Sequence, residues 1–334
     1  MIVDTRFMYS ADADRFKFPN GGGGFEGQRV LITGAGKDGG IGQAFALAAG
    51  LNGAAKVGVH FRSSYEDGFD LVSQLQARGV DAFPVQADVT NQRDLWASRS
   101  YIIEQMGGLP PSLVICNSGL TESGYSFGRA LRPVETEAPA MRRARVRQHF
   151  ISSLEDSRRV LNTKIDGFLA TTHLWAGEAL YHNEDIRFVY VSSRQAIDPG
   201  PAVPGYAISN WAVLQLPDVL KVNLGRSSDR VKAFSVLFPF VRTGMTNEYA
   251  DNDRVFGRWQ PRMLETHECA EAFTKLMSRP ADETDVGMYE LMVDPNGEAP
   301  SEDAAVPIRV TWKQVKIEPR EVELDWSVSN PGLY

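Results

Sequence analysis

Residues 33–42 read Thr33-Gly34-Ala35-Gly36-Lys37-Asp38-Gly39-Gly40-Ile41-Gly42. Glycine at this density lets the backbone turn tightly and come close to a ligand. Where a helix follows, its first N–H groups and positive dipole end face whatever occupies the turn. The matching chemistry is a pyrophosphate, held by the main chain at Gly34, Gly36, Gly40, Ile41 and Gly42. Such a run can equally be a plain turn. A strand before it and a helix after it decide for the dinucleotide, and here Arg29–Thr33 (RVLIT) is a β-branched strand and Ile41–Leu51 an Ala- and Leu-rich helix. The end of the next strand then selects the ligand. An acid there takes the ribose 2′-OH of NAD, whereas an arginine accommodates the 2′-phosphate of NADP. The chain has His60-Phe61-Arg62-Ser63-Ser64 and no acid. Lys37, in the turn, offers a second cation. NADPH is therefore the expected cofactor, with Arg62, Ser63 and Lys37 at its phosphates; a merely solvated Arg62 is the alternative.

The elements that must position these residues follow one rhythm. Lys56–Phe61 is a second strand. Glu66–Arg78 reads as a helix with Phe69, Leu71, Val72 and Leu75 near one face. Ala82–Val85 is a third strand, Leu95–Met106 a helix and Leu113–Cys116 a fourth strand. This alternation predicts a doubly wound parallel sheet covered on both faces. Residues 120–160 break the rhythm with an Arg-heavy, partly helical insertion that includes Arg142, Arg143, Arg145 and Arg147. After it come a long helix over Leu161–Leu180, a strand over Arg187–Val191 and a helix over Tyr206–Gly225 kinked by Pro217. A strand over Val231–Leu237, a helix over His267–Ser278 and a strand over Met288–Val293 complete the unit. Residues 1–27 read as an appendage with a glycine tether at Gly21–Gly24. Residues 297–334 read as a hairpin or extended arm. The domain reading is thus 1–27 extension, 28–296 α/β domain and 297–334 extension.

Composition bounds the function classes. The 334 residues are 43% hydrophobic and 23% charged, as in an ordinary globular protein. The net charge of −7 argues against a general nucleic-acid binder. Two cysteines exclude a disulfide framework or a Cys-rich zinc module. His267-Glu268-Cys269 lacks the second histidine a zinc protease needs, so no metal is expected. No leader and no apolar run of membrane-spanning length is visible. The expectation is a soluble, cytoplasmic protein without membrane or nucleic-acid partners.

At this point the motifs reach a known family. The chain resembles the short-chain dehydrogenase/reductase superfamily from about residue 28 to 296. Thr33–Gly42 resembles its TGxxxGxG motif lengthened by two residues. Asp88-Val89 resembles the adenine-contacting acid after the third strand. Cys116-Asn117-Ser118-Gly119 resembles the NNAG motif. Ser193 and Tyr206 match the catalytic Ser and Tyr at their usual separation. Pro239–Thr243 (PFVRT) resembles the PGxxxT nicotinamide motif without its glycine, carrying Pro239, Val241 and Thr243. The usual Tyr-x-x-x-Lys is instead Tyr206-Ala207-Ile208-Ser209-Asn210, while Lys164 stands where the preceding helix normally has Asn. This exchange is similar to ketoreductase domains of modular polyketide synthases; the lengthened turn and the insertion are similar to fungal type I fatty acid synthase ketoreductases. The polyketide stereochemical markers are absent, with Thr121-Glu122-Ser123 and Asp198 in their places.

The resemblance implies a Rossmann-type fold and an NADPH-dependent ketoreductase acting on a β-ketoacyl thioester or polyketide-like ketone. Tyr206 would be the general acid, Lys164 the cation beside it and Ser193 the hydrogen-bond donor to the carbonyl. Asn210 would hold Lys164 or a water. Asn117, Ser118 and Gly119 would support the cofactor. Tyr206 and Asn210, four residues apart, share a helix face. The bland alternatives are Ser192 in place of Ser193 and a solvated Lys164. In the second case a non-redox dehydratase, isomerase or cyclase, or a non-catalytic NADPH sensor, is the reading. The Arg142–Arg147 cluster suits an acyl carrier protein or a coenzyme A phosphate, or is a solvated face. The resemblance also implies a homo-oligomer built through the helices of Lys164 and Tyr206.

Overall fold

In the computed structural model, residues 13–18, 24–123, 127, 131–132, 134–200, 203–246, 263–293 and 310–316 are described. β1 (Arg29–Ile32) leads through the glycine-rich turn into α1 (Ile41–Leu51). Then follow β2 (Lys56–Phe61), α2 (Tyr65–Gln76), β3 (Ala82–Gln86), α3 (Gln92–Gln105) and β4 (Leu113–Cys116). α4 (Pro139–Leu161) runs through a π turn (Asn162–Asp166) into α5 (Gly167–His182). β5 (Ile186–Ser193), α6 (Pro204–Val213), α7 (Leu216–Leu224), β6 (Val231–Phe238), α8 (Thr266–Met277), β7 (Met288–Val293) and β8 (Val310–Gln314) complete the order used below.

The strands form one sheet in the order β3-β2-β1-β4-β5-β6-β7-β8. Seven are parallel, and β8 pairs antiparallel with β7. The order reverses between β1 and β4, where a doubly wound sheet opens a crevice at the C-terminal strand ends. The strands are apolar and buried on both faces, for example Val30, Leu31 and Ile32 in β1 and Phe188, Val189 and Tyr190 in β5. One core packs α1 and α8 against one face, around Phe45, Phe234 and Phe273. The other packs α5 against the opposite face, around Phe168, Trp175 and Tyr190. The expected fold class thus stands.

Several elements differ from their sequence reading. Phe69 is 52% exposed, while Leu71, Val72 and Leu75 are buried. The long helix does not start at Leu161: α4, the π turn and α5 are continuous from Pro139 to His182. Of the expected appendage, the described residues Ala13, Phe16, Phe18 and Phe25 are buried in the same core as α1 and α8. Of the Gly21–Gly24 tether only Gly24 is described, and a Cβ there would fall 2.9 Å from Met277. The expected C-terminal hairpin contributes strand β8; its second arm lies outside the described residues. Among those residues no helix is long and apolar enough to cross a membrane, and no cluster of His, Cys, Asp or Glu suits a metal ion.

Candidate active site

The crevice is built from the turns that leave β1, β4, β5 and β6. Gly34 takes φ +68°, and a Cβ there would lie 2.8 Å from Ser118 Cα. Only glycine fits that left-handed, crowded position. Gly42, in the first turn of α1, faces Asn117 Nδ2 and Gly34 O, each 2.5 Å from where a Cβ would sit. Asn117 Nδ2 donates to Thr33 O (3.2 Å) and Gly34 O (3.1 Å). Thr33 Oγ1 accepts from the Asn117 and Ser118 N–H groups (3.0 and 3.1 Å). The β4 turn thereby stitches the glycine-rich turn in place. Gly40 caps α1 without any side-chain bond, and the first turn carries no acid. Its N–H groups and dipole are thus available to an anion. This cradle fits the pyrophosphate of a dinucleotide, with Gly34, Gly36, Gly40, Ile41 and Gly42 lining it.

His60 lies beneath the same turn, 3% exposed. Burial pushes its imidazole down to about 4, and its neutral Nδ1 accepts from Gly34 N–H at 3.4 Å. Sequence reasoning passed over it, although its place at the end of β2 marked it as a neighbour of the turn.

At the far strands, Arg62 Nη1 stands 3.6 Å from Asp88 Oδ2, and the arginine side chain is half exposed. Asp88 Oδ1 also accepts from Thr90 N–H (2.9 Å) and Thr90 Oγ1 (2.7 Å). Desolvation works against the Asp88 charge, but these bonds and Arg62 hold the carboxyl below its usual range. Ser63 is exposed beside Arg62. Val89 is buried, with Gly167 directly against its side chain. Lys37 does not join Arg62. Its Nζ lies 3.4 Å from where a Cβ on Gly244 would be, in the loop after β6 and several strands away from the end of β2. That loop holds Pro239, a buried Val241 bridged to Leu264, and Thr243, whose N–H donates to Thr246 Oγ1 at 3.0 Å.

The expected catalytic residues Ser193, Tyr206, Asn210 and Lys164 lie on β5, α6 and the π turn. Tyr206, in the first turn of α6, is half-buried. Burial raises its phenol above the ordinary value, while hydrogen bonds from Ser193 and Asn210 pull the other way. Asn210 is fully buried. Its Nδ2 donates to Tyr206 O at 2.8 Å, and its Oδ1 has no partner. Ser192 donates to Asn210 O at 2.9 Å, whereas Ser193 Oγ accepts from Gln195 N–H at 3.2 Å.

Lys164 is not solvated; it is 5% exposed on the π turn. Its Nζ lies 5.1 Å from the Phe168 ring centroid and 3.6 Å from the place of a Cβ on Gly119. Burial pushes the ammonium down to about 7, while the Cys116 thiol beside it works against that shift. The π turn packs against α6, so Lys164 and the Tyr206–Asn210 pair belong to neighbouring elements. A π turn inserts one residue into an α-helix and is frequent at functional sites. The sequence reading met Glu122 only as a residue in the place of an absent marker and gave it no role; it is 5% exposed and bonded to the start of α6. No local pattern announces it, because its partners are 35 to 84 positions away.

Known proteins share this framework. At 33% identity over 138 residues the chain is similar to the short chain dehydrogenase mdpC of Emericella nidulans, covering 41% of this chain and 48% of that protein. It is 36% identical over 100 residues to versicolorin reductase 1 of Aspergillus parasiticus, covering 30% and 36%. It is 33% identical over 92 residues to the 3-oxoacyl-(acyl-carrier-protein) reductase FabG of Staphylococcus aureus, covering 28% and 35%. The matched part is thus less than half the length of each of these curated relatives. In fold the chain is similar to a short-chain type dehydrogenase/reductase from Mycobacterium ulcerans (TM-score 0.64, 20% identity, 80% of this chain and 88% of that one). It is also similar to a gluconate 5-dehydrogenase from Burkholderia cenocepacia solved with NADP and tartrate (TM-score 0.62, 19% identity, 83% and 96%). The sequence pattern of one family runs from the strand that enters the glycine-rich turn past the helix that carries Tyr206, matching residues 28–254, and by that match the chain belongs to the short chain dehydrogenase family.

Proposed function

We propose that the chain is an NADPH-dependent ketoreductase that reduces a β-ketoacyl thioester or polyketide-like ketone. The observation that carries this reading is the burial of Lys164 on the π turn that packs against α6, the helix whose first turn holds Tyr206 and whose Asn210 is fully buried. A bound reduced nicotinamide supplies hydride to the carbonyl carbon. The protein's own task is the proton. Ser193 donates a hydrogen bond to the carbonyl oxygen and stabilises charge there. Tyr206 gives its phenolic proton to the developing alkoxide. A phenol with a raised pKa is a reluctant proton shuttle at pH 7, so a nearby cation is valuable. Lys164, poised near neutrality, offers that charge or a proton. The unpartnered Asn210 Oδ1 can accept from a water or from the ammonium.

The preference for NADPH rests on Arg62 and on the lack of an acid at the end of β2. With Lys37 at the β6 side, its proposed task moves from the 2′-phosphate to the pyrophosphate. The similarity to versicolorin reductase and FabG supports the ketone and thioester class. An acyl carrier protein as bearer of the thioester is supported by Arg142, Arg143 and Arg147, exposed on α4 next to Val146 and Phe150. Self-association is supported by exposed Ile208, Trp211, Val219 and Val222 along α6 and α7.

The test is NADPH absorbance decay with a small β-ketoacyl thioester and a bicyclic ketone. Wild type should consume NADPH faster than NADH. Tyr206→Phe should lose about 100-fold or more in kcat, the span of general acid catalysis, and Lys164→Ala should fall by a similar factor. Tight NADPH binding without decay on either ketone would turn the reading toward a non-redox enzyme or a cofactor sensor.

A further inference from the structure

The loop leaving β4 threads Thr121-Glu122-Ser123 between α4 and α6, and each of the three residues is tied down. Thr121 O accepts from Arg159 Nη2 at 3.4 Å. Ser123 N–H and Oγ both donate to Asp156 Oδ2, at 2.6 and 3.1 Å. Glu122 reaches the other way. Its Oε1 accepts from Gly205 N–H at 2.5 Å and from Ser157 Oγ at 3.2 Å; its Oε2 accepts from Tyr206 N–H at 3.2 Å.

This arrangement answers a specific need of α6. The first N–H groups of a helix lack intrahelical partners. Val203, the residue before α6, gives no side-chain cap, and Pro204 has no N–H. The first available donors are those of Gly205 and Tyr206, and one carboxylate from another element takes both. The approach demands glycine at 205: a Cβ there would lie 2.6 Å from Glu122 Oε1 and 3.0 Å from Ser157 O. A buried negative charge at a helix N-terminus is favourably placed against the dipole. Charge-assisted bonds of this kind are short and directional.

We propose that Glu122 is the positioning residue for Tyr206, a carboxylate clamp that fixes the first turn of α6 and, through Ser157, ties it to α4. Resting on the reductase reading above, this clamp sets the direction of the phenol toward Ser193 and the carbonyl. It gives the inserted helix α4 a task in the chemistry without any contact with substrate.

The experiment compares wild type with Glu122→Gln, which keeps the shape but loses the charge, and Glu122→Ala. Expected in Glu122→Gln is a kcat roughly 10-fold lower, with KM and NADPH affinity within about 2-fold. Glu122→Ala should lose about 100-fold, as a misplacement near 1 Å costs. Hydrogen exchange at the Gly205 and Tyr206 amides should speed up in both. A merely structural role would lower the yield of folded protein and the Tm without parting kcat from KM. Fluorine NMR of Tyr206 as 3-fluorotyrosine, assigned with Tyr206→Phe, reads the placement of the phenol without any substrate. An unchanged fluorine shift together with unchanged amide exchange in Glu122→Ala overturns the proposal. A wild type that reduces no ketone sinks the reductase reading alone, because the exchange and fluorine results still decide the clamp.

Discussion

Lys164 shows what a residue in this site costs the fold. Its ammonium is buried against Phe168 and Cys116, with a folded pKa of about 7, against about 10.4 in an unfolded chain. Between these values the unfolded chain holds the proton more often than the folded one, so this group makes stability rise with pH from about 7 to about 10. Below 7 both states are protonated and the penalty is fully present. Above the unfolded value it is gone. Lys164→Met should therefore be more stable than wild type near neutrality, by on the order of a few kcal/mol for a relieved buried charge. The gain should shrink toward zero as the pH approaches 10, while the proposed ketone reduction falls about 100-fold, as for Lys164→Ala. Urea unfolding across that range measures it, and a gain independent of pH would refute the assigned burial of charge. Lys164 and Asn210 stood out in the chain through the family resemblance, as departures from its Tyr-x-x-x-Lys pattern and its preceding-helix Asn. Glu122 was not legible: a carboxylate in a loop has no period, and only the folded chain brings it to Gly205 and Tyr206.

At the level of elements, the strand–helix alternation made the sheet readable, since short runs such as Val30–Ile32 and Leu113–Cys116, bounded by turn residues and too short for a helix, sit between longer helical stretches. The helix over Pro139–His182 was harder. No glycine, proline or cap separates α4 from the π turn, and α4 leaves Met141, Val146 and Phe150 exposed, which blurs its apolar face. The turn before α1 behaves in the opposite manner, because its geometry is dictated by atoms that leave no room. A Cβ at Gly42 would sit 2.5 Å from Gly34 O, a backbone atom that cannot swing aside. Gly42→Ala should consequently push the β1 turn away from α1, at a cost of about 1–3 kcal/mol for overpacking. Dinucleotide affinity should fall about 10-fold or more as the N–H cradle opens. Titration of NADPH fluorescence reads this directly. Unchanged affinity would mean that the turn does not hold the cofactor.

For the whole molecule, the informative contacts lie outside the family's span, which begins at residue 28. Phe25 is fully buried, with its ring centroid 6.1 Å from that of Phe273 on α8, and Phe273 in turn packs, tilted, against Phe45 of α1 at 4.4 Å. Asn52, at the end of α1, donates to Phe16 O (2.7 Å) and accepts from Phe18 N–H (2.9 Å). On the other flank Trp312 of β8 donates to Ala272 O at 2.8 Å and lies edge-on to Phe238. Segments from both flanks of the α/β unit thus close over α8. The glycines around Phe25 and the acids around Phe16 disguised this in the sequence, since composition reports a tether but not where a single aromatic anchors. Phe25→Ala should leave a cavity at the junction of α1, α8 and the N-terminal segment, costing about 3–5 kcal/mol. Because Phe25 touches none of Ser193, Tyr206 or Lys164, kcat per folded molecule should stay at the wild-type value while the urea midpoint falls. A full-strength midpoint would show that the segment only rests on the core. A lost kcat at intact stability would instead mean that α8 transmits the packing of this segment to the loop after β6, where Leu264 bridges Val241.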